Sequence, residues 1–202
     1  MQMEEFLNVL ASKEPIPGGG GVSALMGSLS AALCSMVANL TTGKKKYAAF
    51  EEDIQDVLKK AKEYQGNLYA LIEKDAQAFK PLAEAYAIPK EDPNRDSIME
   101  KALVGACEPP MQMMEETMKI LDLLELLLEE GSVMAISDVG VAATAARAAL
   151  EGAVMNIIIN CNSMKDRFVA EELYQKAFVL LCAGRDRAQA VYNAVSMKLT
   201  KG

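Results

Sequence analysis

The sequence predicts an all-α protein, an antiparallel bundle of one short and about five long helices that pairs as a homodimer. Three observations carry this. Apolar residues recur at helical spacing along most of the 202 residues. No stretch alternates polar and apolar residues long enough to make a strand, and the IIIN run at 157–160 lies inside a helical pattern. Two segments, 22–40 and 138–162, carry almost no charge, and a helix apolar all round must be covered all round. One chain of six helices cannot enclose both, so a second copy on a two-fold axis is expected to cover the rest.

Each element follows from local pattern. Met3 to Ala11 reads as a short amphipathic helix stopped by Pro15. Pro15, Pro17 and Gly18 to Gly21 form a turn. Glycines bend at low steric cost, and they can also bring bare N–H groups to an anion at a helix start. The helix Val22–Leu40 follows, with no charge between Glu14 and Lys44, and is expected at the middle of the bundle. Lys44, Lys45 and Lys46, closed by Tyr47, are either a solvated face or a cationic site. From Glu51 to Glu84 the apolar positions Ile54, Val57, Ala61, Leu68, Leu71, Ile72 and Phe79 repeat at helical spacing. Residues 86–97 form a loop. The next helix, Ser97–Glu130, is expected to kink at Pro109 and Pro110 and to stop at Gly131. Asp138–Asn162 and Asp166–Leu199 complete the chain, and residues 1–202 read as one domain.

Composition excludes whole classes of chemistry. There is no histidine, hence no Ser-His-Asp or Cys-His pair, no HExxH site and no imidazole proton shuttle. A net charge of −7 argues against a nucleic-acid surface, and the absence of tryptophan argues against a base-stacking platform. Cys34, Cys107, Cys161 and Cys182 stand far apart among apolar neighbours and read as reduced thiols of a cytoplasmic protein. No metal-ligand spacing occurs. The 22–40 helix is long enough to span a bilayer, but it is serine-rich and no signal or stop-transfer pattern accompanies it, so no membrane partner is expected.

Two features break the expected patterns. Asp75 lies three residues after Ile72 and four before Phe79, inside an apolar stripe. A carboxylate there is paired, for instance with a lysine, or functional. On the 138–162 helix, Asp138, Ala142, Ala145, Ala149, Gly152, Asn156 and Asn160 share one stripe, polar at both ends and small between. The small residues are expected to admit a partner backbone in a contact above ~2,000 Å². At about 1.5 Å per residue, Asp138 and Asn156 are roughly 27 Å apart. They meet one small ligand only across an antiparallel dimer. Asn156 and Asn160, one turn apart, are satisfied by each other or by a ligand.

Several stretches together resemble the methenyltetrahydrofolate cyclohydrolases and the cyclodeaminase half of formiminotransferase-cyclodeaminase. They are PIPGGGGVSAL, ANLTTGKKKY, EKDAQAF around Asp75, and ISDVGVAATAARAALEGAVMNIIIN. The resemblance covers nearly the whole chain and implies an all-helical, dimeric, metal-free enzyme acting on a tetrahydrofolate derivative. One departure is Gly21, where the family pattern places a serine; Ser23 is the nearest hydroxyl.

The implied chemistry is addition of water to the cationic N5–CH–N10 bridge of 5,10-methenyltetrahydrofolate, giving 10-formyltetrahydrofolate. The alternative is cyclodeamination, which closes the ring on 5-formiminotetrahydrofolate and expels ammonia. A second alternative is a non-catalytic folate-binding or dimerisation module. Either reaction wants a carboxylate near the cation, for which Asp75 and Asp138 are the candidates, and Lys45 is a candidate proton donor to the leaving nitrogen. Candidates for substrate binding are Pro17, Gly18, Gly19, Gly20, Ser23, Asn39, Lys44, Lys46, Tyr47, Asn156 and Asn160, with the lysines and the glycine turn suited to the glutamate tail of folate.

Overall fold

A computed structural model describes residues 2–201. Among them there is no strand. The helices are α1 (Met3–Leu10), α2 (Gly19–Asn39), α3 (Glu51–Ala87), α4 (Arg95–Glu130), α5 (Ile136–Ser163) and α6 (Arg167–Thr200). Short 3₁₀ turns at Lys45–Phe50 and Val133–Ala135 lead into α3 and α5. The order of elements agrees with the sequence reading, with ends shifted by a few residues.

The centre of the bundle is α4, not α2. Seven of the twelve largest fully buried side chains come from α4, among them Leu103, Met113, Met114, Ile120, Leu121 and Leu124. It packs on α2, α3, α5 and α6, whereas α2 packs on α3, α4 and α5 and keeps one face open. On that face Leu29 is 48% and Met36 46% exposed, and on the neighbouring face of α5 Met155 is 59% and Ile159 66% exposed. α2 therefore does not lie at the middle of the bundle, and one chain leaves part of it uncovered, in line with the sequence reading; α2 and the Val133–Ser163 segment are each long and apolar enough to cross a membrane.

As the sequence reading has it, α4 is one helix that runs through Pro109 and Pro110. Proline has no N–H to give the carbonyl four residues back. Pro110 thus leaves the Ala106 carbonyl without its helical donor, and Asn160 of α5 supplies one from Nδ2 at 3.2 Å. A neighbouring helix repairs the ladder.

The small-residue stripe of α5 is used inside the chain. Ala142 and Ala149 are fully buried. Ser30 of α2 donates to the Ala142 carbonyl at 2.8 Å, and a side chain at Gly152 would collide with Ser23 Oγ. The stripe admits the backbone of α2, which runs antiparallel to α5, so it is not the contact with a partner. A Gly152→Leu variant is therefore expected to lose about 1–3 kcal/mol or more of stability through overpacking. Urea unfolding followed by circular dichroism measures this, and a variant as stable as the wild type would contradict the close crossing.

Candidate active site at the start of α2

The glycine run starts the helix instead of preceding it: α2 begins at Gly19, with Gly18 extended before it. The first N–H groups of a helix have no partner within it. Here one partner comes from α3. Asp75 approaches the first turn of α2, and its carboxylate accepts the N–H of Gly21. The Asp75 oxygens occupy the space where a Cβ of residue 20 would lie. Only glycine at position 20 allows this approach, so the glycine run has a second role besides the turn. The carboxylate completes a helix end that no local side chain caps.

Asp75 is thus neither ion-paired with a lysine nor left without a partner. Burial raises its pKa above the ordinary 3.8, and the Gly21 N–H opposes part of that rise. A raised folded-state value means that the folded protein holds its proton more tightly than the unfolded chain. The ionised form costs stability, and that cost grows as pH rises from 3.8 to the folded value.

α5 brings Asn156 to the same place. Its carboxamide lies 3.9 Å from where a Gly19 side chain would start, and its Nδ2 donates to the Gly152 carbonyl at 3.0 Å. Asn156 and Asn160 do not satisfy each other; each bonds to backbone. Together Pro15, Ile16, Gly18, Gly19, Gly20, Asp75, Phe79, Leu82, Ala106, Asn156, Ile159 and Asn160 line a cavity of about 190 Å³. Among the described residues no lysine or arginine lines it. Phe79 and Leu82 reach the cavity because they share the Asp75 face of α3; at the sequence level Phe79 reads as core. Ala106 and Ile159 carry no signal in the sequence that marks them as lining.

The other candidates lie elsewhere. Pro17, after a cis peptide bond, packs against Gly21. Any side chain at position 21 meets Pro17, Ile72 and Phe6, which is the physical context of the missing serine. Ser23 is 2% exposed and donates to the Gly19 carbonyl at 2.7 Å, so it is a spacer at the α2–α5 crossing and does not line the cavity.

Lys44, Lys45, Lys46 and Tyr47 sit beyond the far end of α2, whose 21 residues span about 31 Å. The three lysines are exposed. The Tyr47 hydroxyl accepts the N–H of Val133 at 3.0 Å, and Thr41 Oγ1 accepts the N–H of Ser132 at 2.8 Å. These bonds tie the lysine loop to the start of α5. The Val133 N–H, with Ser132 and the Lys46 ammonium, holds the Tyr47 hydroxyl below the usual tyrosine pKa; Lys46 Nζ lies 5.3 Å from its ring centre. Asn39, whose Nδ2 donates to the Ser35 carbonyl at 2.9 Å, belongs to this end. So does Asp138, in the first turn of α5. The candidates form two clusters at opposite ends of the α2–α5 pair, and one chain does not bring them together.

Restoring a side chain at position 20 tests the arrangement. Gly20→Ala is expected to push the Asp75 carboxylate off the Gly21 N–H and to lower activity about as far as loss of Asp75 itself, ~10²-fold. Full activity in Gly20→Ala would show that the close approach has no functional role.

The helical bundle thus holds a half-buried carboxylate against the glycine-built start of a helix, at the edge of a cavity. The chain belongs to the formiminotransferase-cyclodeaminase family, whose match spans residues 2–178. It is 37% identical over 201 residues to a methenyltetrahydrofolate cyclohydrolase of Methylorubrum extorquens, covering 98% of this chain and 97% of that one. It is 27% identical to the formimidoyltransferase-cyclodeaminase of Mus musculus, over 96% of this chain but only 36% of the mouse protein. The solved formiminotetrahydrofolate cyclodeaminase of Thermotoga maritima has a TM-score of 0.86 and 26% identity, over 100% of this chain and 96% of that one.

Proposed function

We propose that the protein is a cytoplasmic folate one-carbon enzyme that hydrolyses 5,10-methenyltetrahydrofolate to 10-formyltetrahydrofolate. The observation that carries this is Asp75: a half-buried carboxylate without a cationic side-chain partner, held at one edge of a cavity by a backbone N–H. The N5–CH–N10 bridge of the substrate is cationic. Asp75 stabilises that cation and accepts a proton from the water that adds to the bridge carbon. The same carboxyl then returns that proton to N5 as the N5–C bond breaks, while the hydroxyl of the adduct gives its own proton to solvent and becomes the C=O of the formyl group that stays on N10, so one proton is released overall. A raised pKa suits a group that must both take and return a proton. The relative from Methylorubrum extorquens, similar over nearly its full length, supports this substrate.

The single-chain cavity of about 190 Å³ is below the roughly 300–1,000 Å³ of sites that enclose a small molecule. We infer that a second copy completes it and makes the homodimer. The open apolar face runs from Ile159, which lines the cavity, along Met155, Leu29 and Met36 to Val133 beside Tyr47. A two-fold axis lying in the plane of that contact, perpendicular to α2 and α5, pairs the glycine end of one copy with the lysine end of the other. Lys44 and Lys46 then meet the glutamate tail, Lys45 shares the protonation of N5 with Asp75, and no membrane is needed to cover α2 and α5.

Cyclodeamination is the second reading, favoured by the structural match to a cyclodeaminase. The methenyl absorbance band separates the readings. Its loss on adding protein to methenyltetrahydrofolate is expected; its appearance from formiminotetrahydrofolate gives cyclodeamination. No change with either, alongside measurable folate binding, would leave a binding module.

A further inference from the structure

The largest cavity of the protein is not the one beside Asp75. A groove of about 700 Å³ opens between the second half of α3 and the first half of α4, and shares no lining residue with the Asp75 cavity. Its size is that of a small-molecule site.

Its walls combine small apolar side chains with hydrogen-bond acceptors that have lost their donors. Gly105 stands mid-helix in α4, where glycine costs helix stability relative to alanine. No atom lies within 4 Å of where its Cβ would be, so packing does not demand glycine there. A glycine lines a groove with backbone alone. The residues four and five positions after Gly105 are Pro109 and Pro110, neither of which has an N–H. The adjacent Ala106 carbonyl, in the same predicament, is served by Asn160; no side chain serves Gly105. On the facing wall Pro81, inside α3, does the same to the Gln77 carbonyl. Glu84 and Glu108 flank the groove against a single lysine, Lys101, and none of the three forms an ion pair among the described residues. Acceptors and net negative charge around an apolar floor complement a flat apolar body that carries cationic N–H donors.

We propose that the α3–α4 groove is a second binding site, for a small aromatic cation of the amidinium type, held by the Gly105 carbonyl and Glu108 over an alanine-lined floor. This site is independent of the folate reading and of Asp75.

Benzamidine is the probe, titrated calorimetrically into the full-length protein, with benzoate as the ligand of similar shape and opposite charge. Benzamidine is expected to bind at least ~10-fold more tightly than benzoate, the size of a charge-assisted contact. Gly105→Leu fills open space and favours the helix, so it folds; together with Glu108→Gln it tests the wall. Each is expected to weaken benzamidine ~10-fold or more, while Asp75→Asn leaves it unchanged. Equal affinity for benzoate, or undiminished binding to Gly105→Leu, overturns the proposal. Loss of binding in Asp75→Asn places the probe in the other cavity and also overturns it. A change of oligomeric state in Gly105→Leu makes the groove an interface between copies, with the same consequence.

Discussion

Asp75→Asn is expected to lower turnover ~10²-fold or more, the range for a lost acid–base group, in a protein that stays folded. The amide oxygen keeps the shape of the carboxylate and still accepts the Gly21 N–H, so α2 retains its cap. Because burial raises the pKa of Asp75, the ionised side chain costs stability at neutral pH. The variant is expected to be as stable as the wild type or slightly more so, and to lose the fall in stability between pH 3.8 and the folded-state pKa. In the wild type, the acid limb of the rate profile should rise as Asp75 ionises, at a pH above the ordinary 3.8. Two measurements decide: methenyl hydrolysis, and urea unfolding across pH. Near-wild-type turnover in a folded variant removes Asp75 from the chemistry. Unfolding of the variant leaves it a helix cap only.

Mixing two inactive variants is expected to restore activity. If each site joins the glycine end of one chain to the lysine end of the other, Asp75→Asn and Lys45→Gln damage opposite halves. Subunits that exchange freely make about half mixed dimers, each with one intact site of two, so about a quarter of wild-type activity should return. Neither variant alone should exceed a few hundredths of it. A charged residue in the middle of the open face, Met36→Glu, should separate the copies, because an unpaired charge in a buried apolar contact is costly. Analytical ultracentrifugation reads the separation, and turnover should fall with it. Mixtures that stay inactive despite proven subunit exchange would place both halves of the chemistry in one chain. A fully active monomer would sink the composite site outright.

The bundle was legible because its signals are local and repeated. Helical spacing in 51–84 and the two uncharged segments name α3, α2 and α5 without reference to any neighbour. What neighbours supply was hidden. Asp75 stood out as a carboxylate in an apolar stripe, but its partner is a backbone N–H 54 residues earlier in the chain, and only folding brings the two together. Pro109 and Pro110 read as a kink within one helix, but the side chain that serves the freed carbonyl, Asn160, lies fifty residues from Pro110. The small-residue stripe of α5 shows a close approach in the sequence but not whose backbone approaches, because periodicity tells which face is small and not which helix lies against it. Spacing along α5 already separated Asp138 from Asn156, whereas the separation of the lysines from the glycine turn needed the full length of α2.

Among the described residues no lysine or arginine lines the cavity around Asp75, and this has a consequence after the chemistry is over. The proposed substrate enters as a cation at its bridge, and the product leaves with a neutral formyl group there. The Asp75 carboxylate attracts the first and has no such hold on the second, an attraction lost in the very step it promotes. The site thus tells substrate from product by charge, since the product has gained water and released a proton. Weak product inhibition follows, most pronounced at low ionic strength, where the difference in attraction is least screened.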